Sequence, residues 1–208
     1  AKAEKMGFAV FTPMFQNVDS TKNYSIQDII PVEGFDGWGR EEIQVLNKDG
    51  NVSETYRWLN EEWYEKVGWY NGDQYATRTI APGESFLINN QTANQWALQF
   101  AGQVNYQSTA FAGPLGFSIL GNSTPVDISI QKFVPISGFD GWGREEIQIL
   151  DENGNVIETY RWLNEEWYGK TGWYKGDTYA DRVIKAGEGF LLNNQTGPFS
   201  ITIPAVEK

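Results

Sequence analysis

The sequence predicts an all-β chain made of two tandem, homologous domains of β-sandwich or barrel-like form. Three observations point there. A long block of sequence occurs twice, turn-forming residues punctuate it at short intervals, and aromatic residues make up 15% of the chain, with nine Trp among them. Short strands between regular turn signals suit a sandwich or barrel. Two small domains need large side chains to fill their cores, and each aromatic buries roughly 150–250 Å².

The repeat is the firmest of the three. Gly34 to Thr92 recurs at Gly138 to Thr196 with a constant offset of 104, and 44 of its 59 positions are identical. Self-similarity at a fixed period over such a length means duplication. The expected domains are residues 1–105, with a core repeat at 26–92, and residues 106–208, with a core repeat at 130–196. Upstream, the match extends weakly from Ile26-Gln27 to Ile130-Gln131. Farther out, Val10 to Asn17 can be set against Leu115 to Asn122, and Trp96 to Val104 parallels Phe199 to Val206 in pattern. Drift alone would spread the differences evenly. Their concentration at the ends is expected if the end strands face different neighbours, one copy's ends meeting the other copy and the chain's own ends meeting solvent or another subunit. Asn105 to Gly113, polar and then small, reads as a short linker.

Along each copy the elements follow from local chemistry. Gly7 to Phe15 is apolar and aromatic, with Pro13 suited to an edge or a strand end. Glu42 to Leu46 and Val52 to Leu59 flank Lys48-Asp49-Gly50-Asn51, which becomes Glu152-Asn153-Gly154-Asn155 in the second copy. Asp-Gly and Asn-Gly both favour a type I′ hairpin. Tyr56 and Trp58 share one strand face by period two. Asn60 can cap one helical turn, with Glu61 and Glu62 near its positive end. Asn71-Gly72 and Lys175-Gly176 mark a further turn, and Pro82-Gly83 suits a type II turn before the strand Phe86 to Asn90.

Composition removes several function classes. The chain has no His and no Cys, so Ser-His-Asp and Cys-His chemistry, thiolate metal sites and disulfides are impossible. A net charge of −11 opposes binding to nucleic acid and to anionic membranes, while it could attract Ca²⁺. No run of 18 apolar residues exists, so no membrane insertion is expected. The start at Ala1-Lys2-Ala3-Glu4-Lys5 reads as a mature product whose signal peptide has been removed, secreted or held at the cell surface.

Candidate chemistry is sparse. Carboxylates abound at Glu41-Glu42, Glu61-Glu62, Asp73 and Glu84 and at their copies, but no spacing selects a catalytic pair, and Arg40, Lys66 and Arg78 can neutralise them. No enzyme and no cofactor are expected. Asp151 to Asn155 has its Gly in the fourth position, where a helix-flanked calcium loop needs it in the sixth, so it reads as a hairpin turn. Five Asn-X-Ser/Thr triplets, at Asn23, Asn51, Asn90, Asn122 and Asn194, also read as turns. The binding candidate is aromatic: Trp63, Tyr64, Trp69, Trp167, Tyr168 and Trp173 could stack on sugar rings.

The copy pattern resembles a family of exported, uncharacterised bacterial all-β repeat proteins. The resemblance rests on Gly116 to Asn122, Ile26-Gln27-Asp28-Ile29, Ile43 to Leu46, Tyr56-Arg57-Trp58, Gly68-Trp69-Tyr70 and Pro82-Gly83-Glu84-Ser85-Phe86. Gly187-Glu188-Gly189-Phe190 is nearer that pattern, with Ala186 in place of Pro. It implies export and β-architecture, not an activity. Taken together, the expectation is an extracellular structural protein that polymerises with itself, head to tail. Phe8, Val10, Phe11 and Phe15 would add a strand to a neighbouring subunit. The alternative is a carbohydrate-binding or adhesive module that uses the six aromatics.

Overall fold

A computed structural model describes residues 2–3, 7–14, 24–60, 64–92, 96–104 and 106–206. It is all-β. The first copy contributes β1 (Lys2–Ala3), β2 (Gly7–Phe11), β3 (Tyr24–Ser25), β4 (Ile30–Glu33), β5 (Trp38–Leu46) and β6 (Val52–Leu59). It continues with β7 (Gly68–Asn71), β8 (Gln74–Tyr75), β9 (Thr79–Ile80), β10 (Phe86–Asn90) and β11 (Trp96–Gln99). The second contributes β12 (Thr109–Gly113), β13 (Gly116–Gly121), β14 (Ile128–Ser129), β15 (Pro135–Ser137), β16 (Trp142–Leu150) and β17 (Val156–Leu163). It ends with α1 (Glu165–Tyr168), β18 (Gly172–Lys175), β19 (Thr178–Tyr179), β20 (Val183–Ile184), β21 (Gly189–Asn194) and β22 (Phe199–Ile203). No helix among the described residues is long and apolar enough to cross a membrane.

Each copy has a six-stranded antiparallel sheet, β2-β10-β5-β6-β7-β8 and β13-β21-β16-β17-β18-β19. Each also has a three-stranded sheet, β1-β11-β4 and β12-β22-β15, and a two-stranded ribbon, β3-β9 and β14-β20. The large sheets are open at both ends, so the barrel-like alternative does not hold.

Local signals are realised with two corrections. At the first hairpin, Gly50 N–H donates to Asn47 O at 3.0 Å and Gly50 has φ +80°. This is a type I turn followed by a left-handed Gly, not the type I′ turn expected. The Asn47 side chain selects it by accepting from Asp49 and Asn51 N–H, both at 3.0 Å. The type II turn at Pro82-Gly83 forms as expected, with Glu84 N–H donating to Ala81 O at 3.0 Å. In the second copy the helical turn forms as α1, its second N–H donating to the Asn164 side chain at 3.2 Å. Residues 61–63, its counterpart, lie outside the described residues. The second correction is the linker, since β12 (Thr109–Gly113) is a strand that pairs along β22.

Each copy encloses its own core. Trp69 and Trp173 are its centre, both 0% exposed. Trp69 Nε1–H donates to Ile29 O at 2.7 Å, and Trp173 Nε1–H to Phe133 O at 2.8 Å. Gln27 Nε2 donates to Trp69 O and to Ala76 O, both at 2.8 Å, while its Oε1 accepts from Trp69 N–H at 3.0 Å. Gln131 repeats this arrangement around Trp173 and Ala180. That half-buried polar clamp explains why the repeat extends upstream to Ile-Gln: a lost amide would leave backbone groups of the buried Trp and Ala unpaired.

A third apolar cluster joins the copies. Leu87, Ile119 and Leu191 form it, with Phe8, Val10, Leu46, Phe117 and Leu150 packed against them. Its hydrogen bonds come in matched pairs. Phe8 N–H donates to Glu152 O at 2.7 Å and Phe117 N–H to Lys48 O at 2.8 Å. Thr12 N–H donates to Gly187 O at 2.9 Å and Gly121 N–H to Gly83 O at 3.2 Å. The bridge Phe11↔Glu188 is matched by Glu84↔Leu120. The copies therefore meet through an approximate two-fold, the hairpin turn of one docking on β13 and that of the other on β2. The counterpart of β2 is β13, because Gly7 pairs with Asn90 as Gly116 pairs with Asn194. This sets Gly-Phe-Ala-Val-Phe against Gly-Phe-Ser-Ile-Leu and corrects the alignment expected from sequence. Of the end strands, β2 and β13 do not face different neighbours. Each faces the other copy.

Candidate functional site

The segment Gly-Phe-Asp-Gly-Trp-Gly-Arg-Glu-Glu, identical at 34–42 and 138–146, puts the least ordinary side chains of each copy in one place. It enters β5 through a bulge. Trp38 pairs with Leu59 and Glu42 with Arg57, so three residues of β5 face Trp58 alone. Gly37 and Gly39 bracket Trp38 with φ of +76° and +71°, which a side chain would resist. Asp36 holds the turn by accepting from Trp38 N–H at 2.8 Å, and Arg40 is ion-paired to the same carboxylate. The bulge turns Trp38 and Trp142 outward, 56% and 58% exposed.

The same bulge turns the next carboxylate inward. Glu41 and Glu145 are fully buried. Glu145 Oε1 accepts from Asp140 N–H and lies 3.1 Å from Thr196 Oγ1, while its Oε2 has no hydrogen-bond partner. Neither carboxylate oxygen of Glu41 has one. Burial pushes the pKa of both carboxyls above the ordinary glutamate value, with the neighbouring Asp36 and Asp140 adding to the rise. Beside each lies an Asn-Gln-Thr turn. Asn194 Oδ1 accepts from Thr196 N–H at 2.8 Å, and Asn90 Oδ1 from Thr92 N–H at 3.0 Å. Asn122 builds the same turn with Thr124. These three asparagines are buried turn residues, Asn51 is an exposed turn residue, and Asn23 lies outside the described residues.

Further glutamates are paired with arginine. Glu42 meets Arg57 at 3.0 Å, and Arg78 bridges Glu54 and Glu84. Arg182 likewise bridges Glu158 and Glu188. A shallow depression of about 400 Å³ beside Tyr160, Tyr179 and Arg182 is rimmed by these pairs, and Lys175 there is held by Glu158 at 3.0 Å.

The residues expected to bind glycan are not gathered into a platform. Trp69 and Trp173 are core residues whose indole N–H groups are spent on backbone carbonyls, so they cannot stack on a sugar. Tyr64 is half-buried, with its ring centroid 4.7 Å from that of Tyr70. Tyr168 is exposed and leans on Tyr174. Trp63 and the Trp167 side chain lie outside what is described. The expected subunit-interface set is also redistributed. Phe8 and Val10 pack between the copies, Phe11 is in the first core, and Phe15 lies outside the described residues. β2 pairs along its whole length with β10 of its own copy, and its other edge meets the second copy at Phe8, Phe11 and Thr12.

No family model, curated protein or solved structure matches the chain.

Proposed function

We propose that the protein is an extracellular structural module that assembles with further copies of itself through side chains rather than by strand donation. One observation carries this reading: the two-fold body displays the same apolar edge twice. Ile30 and Val32 on β4, and Val134 and Ile136 at β15, are all exposed, Val32 and Ile136 by 61% and 59%. β4 and β15 are edge strands of their sheets. Pro31 and Pro135 lack an N–H, and both pairings carry a bulge, so these edges are blunted against backbone addition. Two equivalent patches on one body can link units in a row. Sedimentation velocity over roughly a hundredfold range of concentration should show association that the double substitution Val32→Asp and Ile136→Asp removes. A wild-type monomer throughout that range sinks the reading.

A second reading, glycan binding or adhesion, is favoured by the two bulge-mounted indoles. Trp38 and Trp142 are held at the backbone by Asp36 and Asp140 and flanked by an Asp–Arg pair, which suits stacking on a sugar face. Trp fluorescence should then change with a glycan ligand and stop changing in Trp38→Ala with Trp142→Ala. Silence across a broad glycan panel removes this reading.

A further inference from the structure

We propose that each copy binds one Ca²⁺ between its buried glutamate, Glu41 or Glu145, and the oxygens of the adjoining Asn-Gln-Thr turn. The geometry is clearest in the second copy. Thr196 Oγ1 lies 2.7 Å from Gly138 O, 3.1 Å from Glu145 Oε1 and 2.6 Å from Asn194 Oδ1. A hydroxyl has one proton and can satisfy one of these three acceptors. Other donors do reach the cluster: Asp140 N–H serves Oε1, Thr196 N–H serves Oδ1, and Asn194 Nδ2 serves Gly138 O. Glu145 Oε2 is still left buried without a partner. In the first copy the Thr92 hydroxyl donates to Asn90 Oδ1 at 2.9 Å, and both oxygens of Glu41 are buried without a hydrogen bond of normal geometry. A carboxyl so held must be neutralised, either by a proton or by a cation.

Arg40 attracts Glu41 through space, but no guanidinium among the described residues forms an ion pair with either buried glutamate. Arg40 is ion-paired to Asp36 and Arg144 to Asp140, and both arginines are more than half exposed. A cation among the oxygens would neutralise the carboxylate and turn the crowded acceptors into ligands. No group of three acidic side chains gathers among the described residues. The site would rest on one carboxylate with carbonyl, amide and hydroxyl oxygens. Such an all-oxygen, irregular set suits Ca²⁺ better than Mg²⁺, which demands a near-ideal octahedron, or Zn²⁺, which prefers nitrogen and sulfur. The same residues recur 104 positions apart, so two ions per chain are implied. This inference is independent of both readings of function.

Equilibrium dialysis and thermal unfolding of the full chain test it. With CaCl₂ in place of EDTA, two Ca²⁺ should bind per chain and the unfolding temperature should rise by roughly 3 °C or more. Glu41→Gln should leave one bound ion, and Glu41→Gln with Glu145→Gln none. Gln keeps the volume and removes the charge, so the variant should stay folded in EDTA. Thr92→Val with Thr196→Val, which removes only hydroxyls, should weaken binding in the same direction. Absence of bound Ca²⁺ and of any thermal shift at millimolar concentration overturns the proposal and leaves a proton as the neutralising group. Binding that survives the double Glu→Gln change also overturns it, placing the ions elsewhere on the acidic surface.

Discussion

Replacing Trp173 with Ala should cost about 3–5 kcal/mol of stability, whereas replacing Trp142 with Ala should cost no more than about 0.5 kcal/mol. The two residues lie in one sheet, on β18 and β16 with β17 between them, and differ in what surrounds them. Trp173 is fully buried, its ring centroid 5.3 Å from that of Trp162 and 6.0 Å from that of Phe139. Its removal opens a cavity and leaves the Phe133 carbonyl without its donor. Trp142 is already in water over most of its surface. In calorimetry the first substitution should lower the unfolding temperature by roughly 10 °C and the second should barely move it. Equal effects would mean that the core is not centred on Trp173.

The second large effect is expected at the copy–copy interface. Gly116 has φ +99°, and a Cβ there would collide with the carbonyl oxygen of Lys48 in the other copy's hairpin turn. Gly116→Val should therefore strain the backbone by about 1–3 kcal/mol and break the docking of Phe117 N–H on that carbonyl. Because the collision lies outside both cores, near-UV circular dichroism should change little. Small-angle scattering should report a larger radius of gyration, and cleavage should appear between residues 100 and 108 under limited proteolysis. An unchanged radius and intact linker would show that the turn yields to the new side chain.

What could be read from the sequence divides along physical lines. Features set by a few adjacent residues were legible: the Pro82-Gly83 turn, the alternation that buries Tyr56, and the cap at Asn164. Features set by contacts between distant strands were not. Trp69 and Trp38 look alike as residues, and only their surroundings separate core from surface. One local signal did distinguish them. Trp38 stands between two glycines, which marks a backbone with positive φ rather than a strand interior. The β2–β13 correspondence was hidden by the unequal segments that follow: 12 residues precede β3 and only six precede β14. The buried state of Glu41 was illegible because its neighbour Glu42, of the same type, faces Arg57 on the opposite side of the strand.

The approximate two-fold between the copies is broken at its centre. Thr12 Oγ1 and Ser85 Oγ lie 2.6 Å apart in the first copy, where the second has Gly121 and Gly189. A Cβ on Gly121 would strike the Thr12 hydroxyl, and one on Gly189 would strike Val10. In a symmetric dimer of separate chains every substitution appears on both sides at once. Here the covalent join lets one side grow a hydroxyl while the other loses a side chain. The halves have become plug and socket. Two first copies brought together would crowd four hydroxyls into that space, and two second copies would leave it hollow. Like-with-like pairing between chains is thus disfavoured, and the covalent join supplies the high local concentration that favours the complementary half of the same chain.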